Sequence, residues 1–264
     1  MRIAITGSTS SIGVRLTERL KENGYVTFAL GGRGSKIWQI GDVFPQNLEV
    51  DILIHLAHDR RLSLAQNIAA ARILCDSFSG EKIFLSSFSA HSNSPSKYGK
   101  TKFEIEKIFA ENKGRSLRAG IVYGAKIGGI FAQLETLLGM SRITLVPYRG
   151  LPTLLTTHID DLISEIMSML VRGDPNTVFA ANSYPISLNE LLRQISFDKG
   201  LKQYFVSLPR QPLDALLRVL VQIAPNFPKA DSLLSLSSTV ENEELSNLQL
   251  PQTKFRAFHL ETSN

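Results

Sequence analysis

Tyr98-Gly99-Lys100-Thr101-Lys102 sets a phenol and an ammonium four residues apart, a spacing that stacks them on one face of a helix. A phenol with its ordinary pKa near 10 exchanges protons poorly at neutral pH. A cation beside it favours the phenolate and lowers that value. Such a pair can accept or donate a proton while a hydride moves, a task worth roughly 10²- to 10⁴-fold in rate. A Tyr-x-x-x-Lys pair also occurs on ordinary solvated helices, so its place in the chain carries the weight. It follows the strand pattern of 82–86 (KIFLS) and the polar turn Ser87-Phe88-Ser89-Ala90-His91, which in an α/β chain lies at the carboxyl end of the sheet, where ligands bind. Ser87 is placed to hold a carbonyl or hydroxyl beside Tyr98.

A second constellation lies at the start of the chain. Gly7-Ser8-Thr9-Ser10-Ser11-Ile12-Gly13 joins an apolar strand pattern to a helical one, the context that gives a glycine motif its meaning. Gly7 supplies the positive φ of a tight turn and Gly13 permits close approach of helix and strand. The first-turn N–H groups around Ser10, Ser11 and Ile12 suit a dinucleotide pyrophosphate. The middle glycine of the usual three is replaced by serine, whose β-carbon is expected to crowd a phosphate, and the alternative is a Ser/Gly turn with no ligand. The second strand ends in Leu30-Gly31-Gly32-Arg33, where an NAD-preferring site carries an acid. The Arg33 guanidinium suits a 2′-phosphate, so NADP(H) is expected over NAD(H), unless Arg33 is a solvated loop residue.

The elements that must position these groups follow an α/β rhythm. Residues 2–6 form a strand and 12–20 a helix closed by Gly24. Strands follow at 25–30 and 51–57, with a weaker one at 36–40, then a helix over 62–78, a strand over 82–86, a helix over 97–112 and a strand over 117–122. The alternation predicts a Rossmann-type, doubly wound parallel sheet with right-handed crossovers. From about residue 149 the rhythm changes: a polar strand-like stretch to His158, a helix over 160–171, a strand over 177–181, then Ser187 with Glu190 three residues on, a helix-capping pair. The expected division is a cofactor-binding domain over 1–148, with 149–182 contributing partly to it, and a small mixed substrate lobe over 183–264.

With 264 residues, 43% hydrophobic and 20% charged, the chain can bury a sizeable core. The net charge of +5 is spread without a run of five like charges, which argues against nucleic acid and fits an anionic small molecule. Cys75 is the sole cysteine, so neither an intramolecular disulfide nor a cysteine-based metal site is expected. It reads as a small buried hydrophobe rather than a nucleophile, in keeping with a reducing, cytoplasmic setting. No apolar stretch reaches the ~18 residues of a membrane span, and no signal peptide is read before the first strand. The leucine-rich segment after Pro209 reads as core packing rather than a membrane-surface helix.

Taken in order, ITGSTSSIG, DILIHLAH, FLSSFSA with YGKTK, LRAGIVYG and THIDDL make the chain resemble the extended short-chain dehydrogenases/reductases, the nucleotide-sugar epimerase/dehydratase family. The resemblance runs over nearly the whole chain. It implies Ser87, Tyr98 and Lys102 as a catalytic triad, with Ser89 the second choice for the serine and Lys102 also on the nicotinamide ribose. It further implies Asp42 against adenine, Leu56 and Ala57 along the cofactor, Ala119 to Ile121 near the nicotinamide, and Ser89, His91 and Tyr123 towards substrate. His158 and Asp161 belong to a family motif near the substrate lobe, with a structural role equally open. A homodimer through the helix bearing Tyr98 is implied too. The chain departs from the family in a shorter loop from Ser87 to Tyr98, in His91 where a tyrosine is usual, and in a truncated 42–51. The implied activity is reduction or epimerisation of a nucleotide-linked sugar, and the rival reading is an NADP(H)-binding sensor without turnover.

Overall fold

The computed structural model describes residues 1–31, 38–124, 128–147, 153–172, 178–180, 184–209 and 255–258, with Ala215, Val219 and Leu236. Arg33 and most of the leucine-rich tail lie outside these residues, as do positions 36 and 37 of the weaker strand. Positions 38–40 are not strand. Instead Trp38 and Phe44 turn inward and join Leu30, Leu53, Leu74 and Phe78 in a core cluster.

Strand β1 (Arg2–Thr6) is followed by helix α1 (Ser11–Glu22) and strand β2 (Val26–Leu30). Then come β3 (Ile52–His55), α2 (Leu64–Asp76), β4 (Glu81–Ser87), α3 (Lys97–Glu111) and β5 (Arg115–Ala119). A later strand, β10 (Val178–Ala180), completes a six-stranded sheet of order β10-β5-β4-β3-β1-β2. All five pairings are parallel, so both faces need covering, and the period-two side-chain alternation supplies two apolar faces. Ile3, Ile5, Ile52, Ile54, Ile83 and Leu85 face one way and meet α1 and α5 (Ile159–Arg172). Phe84 faces the other way and packs with α2 and α3 through Cys75, Ile105 and Phe109. This is the doubly wound arrangement expected.

The chain reverses its direction of travel across the sheet at β1, flanked by β2 on one side and β3 on the other. That switch point opens a crevice at the carboxyl ends of the strands. Thr6, His55, Ser87 and Ala119 end their strands along this one edge, aligned as Thr6 with His55 and Ser87 with Ala119.

The stretch expected as one strand over 117–122 is two, broken at Gly120. β5 ends in the large sheet, and β6 (Ile121–Tyr123) pairs with β9 (Thr156–His158). Beyond it lie α4 (Gly129–Met140), β7 (Ile143–Pro147), β8 (Thr153–Leu154), β11 (Ile186–Ser187), α6 (Leu188–Asp198) and β12 (Tyr204–Leu208). β7 pairs with β12 and β8 with β11. One apolar cluster joins Phe131, Leu134, Leu138 and Val146 to Leu191, Leu192 and Ile195. The second lobe's core therefore draws on residues from both sides of the expected boundary at 148, while β10 belongs to the first.

Candidate active site

Gly7 has φ +69°, and a β-carbon there would stand 2.9 Å from the Ala57 nitrogen. A β-carbon on Gly13 would overlap the Gly7 carbonyl and stand 2.7 Å from Ser8 Cα. These two positions hold the turn against β3 and at the mouth of the crevice. Ser10, in the place of the middle glycine, spends its side chain on the turn itself. Its Oγ accepts from Gly13 N at 3.0 Å and donates to the Gly7 carbonyl at 2.8 Å. The serine is thus the N-cap of α1. The N–H groups of Ser11 and Ile12 remain the donors a helix start leaves over, and Ser11 Oγ accepts from Gly128 N at 3.2 Å. A cradle closed to any side chain at Gly7, with helix N–H groups beside it, fits a pyrophosphate.

Tyr98 and Lys102 sit in the first turns of α3, whose start is fixed by Ser96 Oγ accepting from Gly99 N at 2.9 Å. Lys102 is 3% exposed. Its Nζ donates to the Leu85 carbonyl at 2.7 Å and lies 4.5 Å from the Phe84 ring centroid and 5.7 Å from that of Tyr98. Burial brings its pKa down to about 7, with Glu106 acting the other way. Tyr98 is moved in the direction opposite to that expected: burial raises its pKa, and the cation that opposes the rise is Arg60, not Lys102. The Arg60 guanidinium lies over the Tyr98 ring, 6.0 Å from its centroid. A half-neutralised ammonium pointed at a backbone carbonyl is a weak source of field, whereas guanidinium keeps its charge. At neutral pH the phenol is protonated. Ser87, at the end of β4, places Oγ 3.0 Å from Ser89 Oγ, so the first and second choices for the serine form one hydroxyl pair.

These groups converge on a crevice with two compartments. The larger, about 1000 Å³, is lined by Gly7, Ser10, Ile12, Gly31, Trp38, Leu56, Ala57, Ser86, Tyr98, Lys102 and Ala119. The smaller, about 520 Å³, runs towards the second lobe past Ser11, Ser87, Phe88, Ser89, Ile121, Ile130 and Leu154. Tyr98, Ser87, Arg60 and Ala119 belong to both and stand where the compartments join.

Of the expected site residues among those described, Gly13, Asp42, Tyr123 and His91 line neither compartment, Gly13 being packed behind the turn. Asp42 closes an exposed turn, its carboxylate accepting from Gln39 N at 2.8 Å, and Trp38 and Gln39 line the cavity in its neighbourhood. Tyr123 is 1% exposed and donates to the Ala257 carbonyl at 3.0 Å. It packs edge-on against His158 and Phe258, so it is a strut of the second lobe. His91 is bound into the Ser87–Ser94 turn, its carbonyl accepting from Ser94 N. The THIDDL motif is also structural here: His158 is buried, Asp160 accepts twice from Arg15, and Asp161 accepts from Arg256.

Ser86, His58 and Arg60 line the crevice without having been singled out in the sequence. For His58 and Arg60 a signal existed, since both directly follow the apolar run of β3 at its carboxyl end. His55 on that strand is buried and neutral, its pKa lowered to about 3 by burial and then Lys102. Its Nδ1 meets Thr6 Oγ1 at 2.7 Å, which makes it a core residue. Cys75 is buried, with its thiol pushed up to about 12 by burial, so it is no nucleophile.

By sequence, the chain matches no protein-family model and no curated protein. By structure, similarity is extensive. A dTDP-4-dehydrorhamnose reductase from Clostridium acetobutylicum superposes with TM-score 0.67 at 16% identity, over 80% of this chain and 85% of that one. The chain shares the fold of that reductase. The UDP-glucose 4-epimerase of Thermotoga maritima, solved with UDP-glucose, gives TM-score 0.61 at 18% identity over 79% and 86% of the two chains. RMD from Pseudomonas aeruginosa, solved with NADPH, gives 0.60 at 15% over 79% and 87%.

Proposed function

We propose that the chain is an NAD(P)-dependent oxidoreductase of the epimerase/dehydratase type, acting on a nucleotide-linked ketosugar, with NADP(H) as its favoured cofactor and Tyr98 as its acid/base. The observation that carries this reading is the meeting of Ser87, Tyr98 and Lys102 with the glycine turn in one continuous crevice. The larger compartment, from the turn past Trp38 to Lys102, suits a dinucleotide. The smaller, between the sheet edge and the second lobe, suits a sugar. Neighbours of the same fold were solved with NADPH and with UDP-glucose, which supports both assignments.

When bound, the cofactor supplies or takes the hydride at a sugar carbon. The Ser87 hydroxyl holds the sugar oxygen on that carbon, and Tyr98 Oη exchanges a proton with it. Lys102 Nζ, already a donor, orients the cofactor side. Because burial keeps the phenol protonated, the site is set to give a proton to the oxygen of a carbonyl being reduced, so reduction is the favoured direction. Arg60, at the junction, and the net charge of +5 favour an anionic nucleotide portion. A cytoplasmic homodimer through α3 completes the reading.

The test is turnover of 4-keto nucleotide sugars with NADPH by the wild-type chain and by Tyr98→Phe. Loss of at least 10²-fold in kcat with cofactor binding intact is the expected outcome. Cofactor binding by the wild type with no turnover of any such sugar would leave the sensor reading instead.

A further inference from the structure

Among the described residues, His58 is the one imidazole in the lining of the crevice. It follows the carboxyl end of β3, directly after Ala57, and its ring stands edge-on to that of Tyr98 with centroids 5.0 Å apart. No hydrogen bond joins either of its nitrogens to a described residue, and Nδ1 is shut off from solvent without a partner. Burial, then the cations Lys102 and Arg60, hold the ring neutral, lowering its pKa to about 3. A neutral imidazole carries one N–H and one lone pair, and leaving such groups unmade in a shielded place costs stability. The second orphan nearby is Ser86 Oγ, which is buried, unpartnered and in the lining of the same compartment. Two unused polar groups lie with Tyr98 and Lys102 in a compartment lined by polar and apolar groups alike. That pattern belongs to a site completed by its ligand.

We infer that His58 is a ligand-contacting residue of the larger compartment, and that its imidazole hydrogen-bonds a hydroxyl or amide of the nicotinamide-side half of a dinucleotide, fixing that half against Tyr98. The assignment rests on the function proposed above. The place of His58 decides which half it serves: it lines the larger compartment and not the smaller, so it faces cofactor rather than sugar. Within that compartment it stands edge-on to Tyr98, whereas Gly31 and Trp38 follow β2, which lies beyond β1 from the strand that His58 follows.

The test is binding, read by fluorescence titration of NADPH and, in parallel, by competition with ADP, which lacks the nicotinamide half. His58→Phe keeps the aromatic edge towards Tyr98 and removes both nitrogens, whereas His58→Gln restores a polar atom at the reach of Nε2. The expected result is a Kd for NADPH raised about tenfold in His58→Phe, largely recovered in His58→Gln, with ADP bound equally by all three. Equal NADPH affinity in wild type and His58→Phe overturns the inference while leaving the proposed function standing. Parallel loss of ADP and NADPH binding in His58→Phe also overturns it, since that reports damage to the fold. Failure of the wild type to bind NADPH or NADH refutes the function itself.

Discussion

Replacing Lys102 with methionine tests the electrostatics of the site before any ligand is added. Methionine fills a similar volume beside Phe84 and carries no charge. Burial brings the Lys102 ammonium from an ordinary 10.5 to about 7, so the unfolded chain holds this proton more tightly than the folded one. Between those pH values the unfolded state carries more protons, and stability must rise with pH. At about 1.4 kcal/mol per pKa unit, the lysine costs on the order of 5 kcal/mol at pH 6, where both states are charged or nearly so. At pH 9.5, where the folded state is neutral and only the unfolded state still gains from protonation, the cost falls to roughly 1–2 kcal/mol. Methionine removes that dependence. It also removes the hydrogen bond to the Leu85 carbonyl, about 1 kcal/mol at either pH, which cancels when the two pH values are compared. Urea unfolding of both proteins at pH 6.0 and 9.5 should show the stability of Lys102→Met, relative to wild type, falling by about 3 kcal/mol from the lower pH to the higher. A difference that is the same at both pH values would refute the reasoning, because it would mean that Lys102 stays fully charged in the folded chain.

Gly13→Ala, whose β-carbon would overlap the Gly7 carbonyl, should lower stability by about 1–3 kcal/mol in the same urea assay and weaken NADPH binding. Arg118 clamps the nearly buried Glu106 through two hydrogen bonds, Nε to Oε1 at 2.8 Å and Nη2 to Oε2 at 2.6 Å. Arg118→Met leaves that carboxylate unpaired and should cost about 3–5 kcal/mol, whereas Arg118→Met combined with Glu106→Gln should recover part of it.

The first βαβ unit was legible because its signals are local: an apolar run, a glycine turn, a helical stripe and a closing glycine fall within residues 2–30. The same holds for α3, where Tyr98 and Lys102 are one turn apart whatever the rest of the chain does. What escaped was non-local or unpatterned. α4 (GIFAQLETLLGM) is apolar around much of its circumference, so it shows little of the face that betrays a surface helix. β7 and β12 pair across a gap in the chain of some sixty residues, and nothing in either strand names its partner. Tyr123 lies next to the sheet edge in sequence, but the break at Gly120 carries β6 into the other lobe and the phenol into its core. The direction of the Tyr98 pKa also needed the fold, since Lys102 is sequence-adjacent on the helix while Arg60 arrives from the end of β3. The sequence reading also missed that Ser10 would spend its hydroxyl capping α1 on Gly13 N.

The central claim is that the crevice holds a nicotinamide dinucleotide. Its most direct test is equilibrium titration of the purified wild-type chain with NADPH and with NADH, followed by the fluorescence of the reduced nicotinamide. Saturable binding of one molecule per chain, tighter for NADPH than for NADH, is the result the account predicts. No saturable binding of either nucleotide at millimolar concentration would contradict it, and would leave a Rossmann-type scaffold whose crevice serves some other ligand.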